Sequence, residues 1–330
     1  MCIMYVAELG FFVYVLDSFP QMPLRFRLLL GRRDAESQLG SDADVDEIDV
    51  AIEIKNSYYE AEDLMSENPT ESIELFEKVV QLESEMAVDS VKWCFKALCH
   101  LVILMSQTRR LDDMVQHYKS MLSRLETVTR NECTDAINTV LDAVTALSSE
   151  ENSTMHDEIL LQMYIITLDA LTVTNNERLW VMVNIKLCKI YVETPRFDKV
   201  EDLLITLKKF FGQAIGNEDG VLVDGGSSAG SGDTSSLLEV YSIEIRLCAL
   251  TNDFERLKRL YTKTLNLPST VTDPRIMGMI REEGGKLYLF EGDYDAALSE
   301  FSEGFRANQE AGNSQAKICL KYRHHHHHHH

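Results

Sequence analysis

The sequence predicts an all-α fold: a right-handed α-solenoid of about six TPR-like helix pairs, with no significant sheet. Apolar residues recur at helical spacing almost without interruption from Val50 onward. Polar turn signals recur about every 40 residues, at positions 68, 109, 152, 196, 252 and 292, except for the interval from 196 to 252, which contains the Gly/Ser-rich residues 216–236. This period is typical of helical-repeat proteins, because one helical hairpin cannot bury both of its apolar faces and needs neighbours to cover them.

The clearest hairpin is residues 281–308. Gly292 and Asp293 are expected to form its turn, since glycine tolerates a positive φ and aspartate hydrogen-bonds its own backbone. Ala296 and Ala297 would let its two helices approach closely. Apolar residues at helical spacing on both sides of the turn are expected to form its buried faces: Leu287, Tyr288, Phe290, Tyr294, Ala297, Leu298, Phe301 and Phe305.

The first turn signal carries the residues that start a helix. Asn68 is expected to cap the helix, with Pro69 at its first position and Glu71 at its third. Further along the same helix, Glu74 and Lys78 are four residues apart and are expected to form an ion pair.

Three segments fall outside the repeat domain, which covers residues 50–323. Residues 1–49 are expected to be an extension, acidic and largely disordered from residue 34, because that part has few apolar residues to bury; a membrane-lying or targeting segment within its first 33 residues is the alternative. The Gly/Ser-rich residues 216–236 are expected to be a flexible insertion. Residues 324–330 are all histidine, as in an expression tag.

The composition limits the partners. The formal net charge is −21, so we expect neither a nucleic acid nor a membrane as partner, because binding to phosphates requires clustered Lys and Arg. An acidic surface favours partners with basic faces. The 7 cysteines are scattered, with no CxxC pair, which is typical of reduced thiols in the cytoplasm or nucleus.

No segment has the arrangement that catalysis or metal binding requires. Residues 226–230 match the GxSxG pattern around a nucleophilic Ser228, but they lie in the Gly/Ser-rich insertion rather than in a strand-to-helix turn. Cys94 and Cys99 would be separated by about 140° around a helix, a poor geometry for chelation. We therefore predict no metal site, no required cofactor and no enzymatic activity; the alternative is a standalone hydrolase using Ser228 or a carboxylate pair.

Basic residues are scarce, so their clusters are informative. Lys92 and Lys96 lie four residues apart near two aromatic residues, and Arg275, Arg281 and Lys286 form a second group. If the repeats fold into a curved array, groups that are distant in sequence can face the same concave surface. Such a local positive pocket would accept a highly phosphorylated ligand or an acidic loop of a partner. The alternative is that these residues are ordinary solvated surface.

Several short segments are similar to one known family. The strongest is IMGMIREEGGK at 276–286; the others are FKAL at 95–98, TRN at 129–131 with IN at 137–138, RLW at 178–180 with KL at 186–187 and KIY at 189–191, and LEVY at 238–241 with IEI at 243–245. Over residues 50–323 the chain resembles the COP9 signalosome subunit 2 family. The acidic stretch before residue 50 also resembles that family, whereas residues 1–33 do not.

The resemblance implies a PCI-type scaffold subunit, with a solenoid of helix pairs followed by a winged-helix module. The chain reaches Tyr322 before that module, and we expect it to correspond to the solenoid arm alone. In this family the arm binds the C-terminal region of a cullin and its RING-box protein, and presents the Nedd8–cullin bond to a metalloprotease subunit of the complex. The resemblance therefore implies a non-catalytic arm in the cytoplasm and nucleus, with cullin, RING-box protein and other signalosome subunits as partners.

The same family binds inositol hexakisphosphate between this arm and the RING-box protein. Lys96 and Arg281 match positions of that pocket, and Lys286 lies beside them in the pattern. Tyr288 stands where the family has a histidine, and Lys92 replaces an acidic residue and would compensate. These five residues form the predicted inositol phosphate pocket. The alternative scaffold is the related PCI subunit of the 26S proteasome lid, which would contact lid and ATPase subunits.

Overall fold

The computed structural model describes residues 42–86, 93–150, 154–215, 231–266 and 273–311. These residues form twelve α-helices, one short 3-10 helix (Leu125–Thr127) and no strand, which confirms the predicted all-α repeat fold. The right-handed twist of the array stays a prediction. The α-helices are α1 (Asp42–Leu64), α2 (Pro69–Glu85), α3 (Trp93–Gln107), α4 (Leu111–Leu122), α5 (Arg130–Glu150), α6 (Thr154–Leu171), α7 (Glu177–Glu193), α8 (Phe197–Ile215), α9 (Ser231–Thr251), α10 (Phe254–Leu265), α11 (Pro274–Glu291) and α12 (Tyr294–Glu310).

The predicted turns within the described residues connect consecutive helices. Asn68 caps α2 by accepting a hydrogen bond from the backbone N–H of Glu71, and Pro69 is the first helical residue, as predicted. Arg109, Asn252 and Gly292 adopt positive φ angles of 62°, 57° and 80°, which end α3, α9 and α11 respectively. The turn predicted at position 152 lies outside the described residues.

The first helix begins earlier than predicted. It starts at Asp42, so part of the acidic stretch assigned to a disordered tail is helical. Carboxylates near a helix N-terminus are stabilised by the helix dipole. This explains why the helix extends toward the N-terminus, from the apolar segment into the acidic one. Residues 1–41 and residues 216–230 of the predicted insertion lie outside the described residues. The prediction that the flexible insertion extends to residue 236 is wrong, because α9 begins at Ser231. Within the described ranges, no helix combines the length and apolar character needed to cross a membrane.

The chain divides into two compact units, residues 1–163 and 164–330, with the division inside α6. In the first unit, α3 is the central helix and packs against α1, α2, α4 and α5. An ion pair joins α1 and α2, where Lys78 contacts Glu53 at 2.6 Å. The predicted pair of Lys78 with Glu74 is therefore wrong, because packing brings a carboxylate of a neighbouring helix closer than the one along the same helix.

In the second unit, α9 has the corresponding central position and packs against α7, α8, α10 and α11. The last hairpin, α11–α12, has the turn that the sequence predicts: Gly292 ends α11, and Asp293 caps α12 by accepting a hydrogen bond from the Ala296 N–H at 3.1 Å. The predicted burial of Tyr294 is wrong, since it is 53% exposed, and so is that of Phe290. Its side chain is 71% exposed and stacks on Phe254, with ring centroids 4.5 Å apart.

Close packing around α11 depends on three of its glycines. A Cβ added to Gly278, Gly284 or Gly285 would lie 2.3 Å from Asn308, 2.5 Å from Tyr261 and 2.7 Å from Phe301, respectively. The three partner side chains are all buried, Tyr261 in α10 and the other two in α12. The close approach of helices that the sequence suggested for Ala296 and Ala297 therefore depends mainly on glycines of the preceding helix.

Substitution of Gly284 by alanine tests this close approach. In an uncrowded helix, Gly→Ala stabilises by up to about 1 kcal/mol. Here the added methyl group meets the buried Tyr261 ring, so we expect the free energy of unfolding to fall by about 1–3 kcal/mol. Chemical denaturation measures this, with Ser299→Ala at an exposed position of α12 as the control that should change little. A stabilised Gly284→Ala variant would contradict the packing described.

Candidate functional site

Lys96 lies at the edge of an open cleft in the first unit. Its side chain is exposed on α3, and its Nζ lies 5.5 Å from the centroid of the Trp93 ring. Among the described residues no carboxylate forms an ion pair with Lys96, so its ammonium group is available to an anion. The cleft encloses about 630 Å³ and is lined by aromatic, polar and charged side chains: Tyr58, Phe95, Lys96, Cys99, His100, Thr127, Val128, Thr129, Glu132, Asp135 and Ala136.

The opposite wall of the cleft carries two carboxylates on α5. Glu132 accepts hydrogen bonds from the Thr129 backbone N–H at 2.9 Å and from the Thr129 hydroxyl at 2.8 Å. In return, the Thr129 hydroxyl oxygen accepts a hydrogen bond from the Glu132 backbone N–H at 3.3 Å, and this reciprocal pair is a capping box that fixes the start of α5. Asp135 lies one turn further along the helix. The cleft is therefore not uniformly positive, and an anion bound to Lys96 would have to stay at the α3 side.

The cleft floor has no group prepared for catalysis. His100 Nε2 lies 3.1 Å from the Tyr58 hydroxyl, and the imidazole stacks on Phe76. Burial lowers the pKa of His100, so the ring is neutral near pH 7. Burial, and secondarily Cys133, raises the pKa of the Cys99 thiol to about 12, which keeps it protonated and unreactive. Across the described ranges, no three His, Cys, Asp or Glu side chains form a group that could hold a metal ion.

The N-terminus of α3, which positions Lys96, is held by the buried carboxylate of Glu83. This side chain from α2 accepts hydrogen bonds from the backbone N–H groups of Trp93 and Cys94. Its Oε2 atom has no hydrogen-bond partner among the described residues. Burial raises the pKa of Glu83 to about 7, and the two amides and nearby Arg124 offset only part of that effect. The burial of Glu83 was not predicted, because the sequence around a single carboxylate on an amphipathic helix carries no signal of burial.

Arg281, in the second unit, is bound to carboxylate oxygens of the protein itself. Its Nη1 donates to both Oε1 and Oε2 of Glu300 at 3.0 Å and lies 3.5 Å from the Tyr261 hydroxyl. The side chains of Arg281 and Glu300 are 26% and 13% exposed. Burial, followed by the hydrogen bond to Glu300, raises the pKa of Tyr261. Three helices thus meet at this group: α10, α11 and α12.

The other α11 residues of the predicted pocket have similar surroundings. Lys286 contacts Glu282 at 2.8 Å and Glu283 at 3.0 Å, on its own helix. Tyr288 packs edge-to-face on Tyr261, with ring centroids 6.1 Å apart. The structure therefore groups Arg281 and Tyr288 around Tyr261, whereas Lys96 belongs to the first unit and Lys92 lies outside the described residues. A single pocket that contains all five residues stays a prediction.

A larger charged cluster in the second unit was not predicted. Arg256 of α10 donates to both oxygens of Glu201 on α8, at 2.6 and 2.9 Å, and to Glu244 on α9. Lys208 also donates to Glu244, whose side chain is only 2% exposed. Sequence spacing gives no signal for this cluster, since Arg256 and Glu201 are 55 positions apart. Its ion pairs connect α8, α9 and α10.

Comparison with known proteins gives consistent relatives. The chain is 37% identical over 286 residues to COP9 signalosome complex subunit 2 of Emericella nidulans, covering 85% of the chain and 52% of that protein. The proteins of the same name from Drosophila melanogaster and Dictyostelium discoideum are 34% and 32% identical, each covering 82% of the chain and 56% of the relative. The chain thus spans about half the length of the curated relatives that it matches. No protein-family model matches it.

Among solved structures, BtubC from P. vanneervenii aligns with 80% of the chain and 91% of its own length, at 14% identity and a TM-score of 0.44. A tetratricopeptide repeat protein from Parabacteroides merdae aligns with 81% of the chain and 99% of its own length, at 13% identity and a TM-score of 0.31. The fold assignment therefore rests on the helices of the chain itself.

Replacing Glu83 by glutamine tests the buried carboxylate. A carboxyl whose pKa is raised from 4.5 to about 7 by folding contributes stability that is fully present below pH 4.5 and is lost as the pH rises through 7. We therefore expect Glu83→Gln to be more stable than the parent at pH 8, by at most about 3 kcal/mol, and similar to it at pH 5. Chemical denaturation at the two pH values measures the difference. Glu74→Gln, at an exposed position of α2, should show no such pH dependence; equal behaviour of both variants would contradict the raised pKa.

Proposed function

Because the chain is a homologue of COP9 signalosome subunit 2 that spans about half of that protein's length, we propose that it is a non-catalytic scaffold arm of the COP9 signalosome. In this proposal the arm binds a cullin and its RING-box protein and supports cullin deneddylation by another subunit. Its partners are then cullin, RING-box protein and other signalosome subunits, in the cytoplasm and nucleus.

The observation that carries the proposal is the identity of 37% spread over 85% of the chain. A match of this extent covers both units rather than one short motif. The helical repeats support it physically, because stacked hairpins present an extended surface suited to binding other proteins. The curated relatives named above favour the signalosome over the proteasome lid, the alternative scaffold.

We also propose that this arm binds inositol hexakisphosphate, and the surroundings of Lys96 support this. Lys96 is an exposed ammonium group held over Trp93 and not paired with a carboxylate of the described chain. Ammonium groups bind phosphates as point charges. Arg281, the second residue matched by the resemblance, offers a guanidinium group that suits phosphate geometry, although Glu300 occupies it in the free protein.

The proposed role as a scaffold is also supported by the chemistry of the cleft. His100 is neutral and Cys99 is protonated near pH 7, so neither is an activated nucleophile or acid. Ser228, the nucleophile of the hydrolase alternative, lies outside the described residues.

Binding to a purified cullin–RING-box complex, with and without inositol hexakisphosphate, tests the proposed function. We expect the affinity to rise at least about tenfold when inositol hexakisphosphate is present, because it adds charge-assisted contacts to both partners. Lys96→Glu and Arg281→Gln should each remove most of this gain. Calorimetry measures the affinities, and circular dichroism verifies that each variant is folded.

Two variants serve as matched controls. Lys119→Glu on α4 makes the same charge change as Lys96→Glu, and Lys263→Gln on α10 makes the same charge change as Arg281→Gln. Both are at exposed positions outside the predicted pocket, and both variants should bind as the parent does. Negligible binding of the folded parent, equal with and without inositol hexakisphosphate, would reject the proposal. Loss of binding in the control variants as well would mean that only net charge matters.

A further inference from the structure

The cationic groups of α11 are neutralised inside the folded protein. Lys286 contacts Glu282 and Glu283 of the same helix, and Arg281 contacts Glu300 of α12. This differs from Lys96, which meets no carboxylate among the described residues. An anion that approaches α11 therefore finds its positions already occupied by carboxylates.

The contact between Arg281 and Glu300 is built into the packing of the last hairpin. Gly285 of α11 allows the buried Phe301 ring to lie against the helix backbone. Glu300 precedes Phe301, so the same close approach brings its carboxylate to Arg281. Tyr261 of α10 contacts both partners through its hydroxyl. The packing of α10, α11 and α12 thus holds Glu300 next to Arg281.

We propose that Glu300 is an internal competitor that occupies Arg281 until a multiply phosphorylated ligand displaces it. This inference rests on the proposed anion-binding function of Arg281 and concerns its regulation. Glu300 accepts two hydrogen bonds from the same nitrogen, Nη1 of Arg281, at 3.0 Å each, so a phosphate that binds at Nη1 has to displace this carboxylate. Ligand binding then exchanges one anion for another at Arg281.

This exchange determines which ligands can bind. A single phosphate gains at Arg281 roughly what the protein loses by releasing Glu300, so its net gain is small. A ligand with several phosphates brings more negative charge to the same guanidinium group, while only one carboxylate is displaced. Glu300 therefore favours multiply phosphorylated ligands and excludes inorganic phosphate, an abundant competitor, because discrimination arises from a contact that the wrong ligand cannot repay.

The first experiment compares the parent with Glu300→Gln. Glutamine keeps the size of the side chain and one acceptor oxygen for Arg281, but it removes the competing charge. Calorimetric titration with inositol hexakisphosphate should show about tenfold tighter binding for Glu300→Gln, and titration with inorganic phosphate should show a detectable affinity that the parent lacks. A purely structural role for Glu300 predicts weaker binding or no change, so a gain distinguishes the two roles.

A double-mutant cycle shows whether Glu300 acts through Arg281. Arg281→Gln should weaken binding, and adding Glu300→Gln to that variant should give no further gain, because the cation that Glu300 neutralises is gone. Glu291→Gln is the matched control. It removes a carboxylate from α11, the helix that carries Arg281. This carboxylate is paired with Lys258 at 2.6 Å, and its removal should leave the affinity unchanged. If Glu300→Gln does not fold, Glu300→Asp, which retracts the carboxylate by one methylene, should show a smaller gain.

The outcomes separate this inference from the proposed function. Binding by the parent with no gain in Glu300→Gln would overturn the competitor and leave the proposed anion site standing. Binding by Glu300→Gln but not by the parent would support the competitor directly. An equal gain in Glu291→Gln, or a gain that survives in the Arg281→Gln background, would overturn it, since general charge would then explain the effect. Absence of binding in every variant would overturn both.

Discussion

Mutual coverage of apolar helix faces is the constraint on which the rest of the structure depends. The helix α3 shows it most clearly: its sequence, WCFKALCHLVILMSQ, is apolar on nearly all sides, and it is contacted by α1, α2, α4 and α5. A helix of this kind is stable only when neighbours cover it all round. The helix α9 has the same central role in the second unit. Charged groups that lie within the packed helices, such as Glu244, are compensated there by partners of opposite charge, in this case Arg256 and Lys208.

Two arginines of the second unit show how similar contacts serve different purposes. Arg256 binds Glu201 and Glu244 from two other helices, and the nearly inaccessible Glu244 depends on it and on Lys208 for charge compensation. Removing one member would leave an uncompensated charge, which is among the costly changes in a protein interior. The two side chains are almost equally exposed, at 25% for Arg256 and 26% for Arg281, but among the described residues Arg281 has a single carboxylate partner in Glu300. Releasing Arg281 therefore breaks one pairing, whereas releasing Arg256 breaks two.

The features predicted from sequence are those that depend on local residues. The cap at Asn68, the positive φ at Gly292 and the cap at Asp293 each follow from a few adjacent positions. The features that were missed depend on partners far along the chain. Lys78 contacts Glu53 of another helix, and Phe290, although apolar at helical spacing, stacks on Phe254 at the surface.

For the candidate site too, the residues could be predicted from the sequence, but their contacts with distant partners could not. The resemblance selected Lys96, Arg281, Lys286 and Tyr288, and the structure groups the last three on one helix. It did not indicate that Glu300 holds Arg281, because that contact depends on how closely α12 approaches α11. That distance is determined by glycines whose role becomes visible only when the side chain that each one accommodates is known.

Cysteines on the first helix of four helix pairs make it possible to measure how the repeats open. Cys94 and Cys99 lie on α3, Cys133 on α5, Cys188 on α7 and Cys248 on α9, and all five are free. Burial raises the pKa of each of these thiols. Cys99 lines the open cleft, but the other four are buried, so a thiol reagent reaches those four only after the surrounding helices separate. The labelling rate of each buried cysteine therefore measures how often its own helix pair opens. These cysteines lie in four successive helix pairs, so no reporter group has to be introduced.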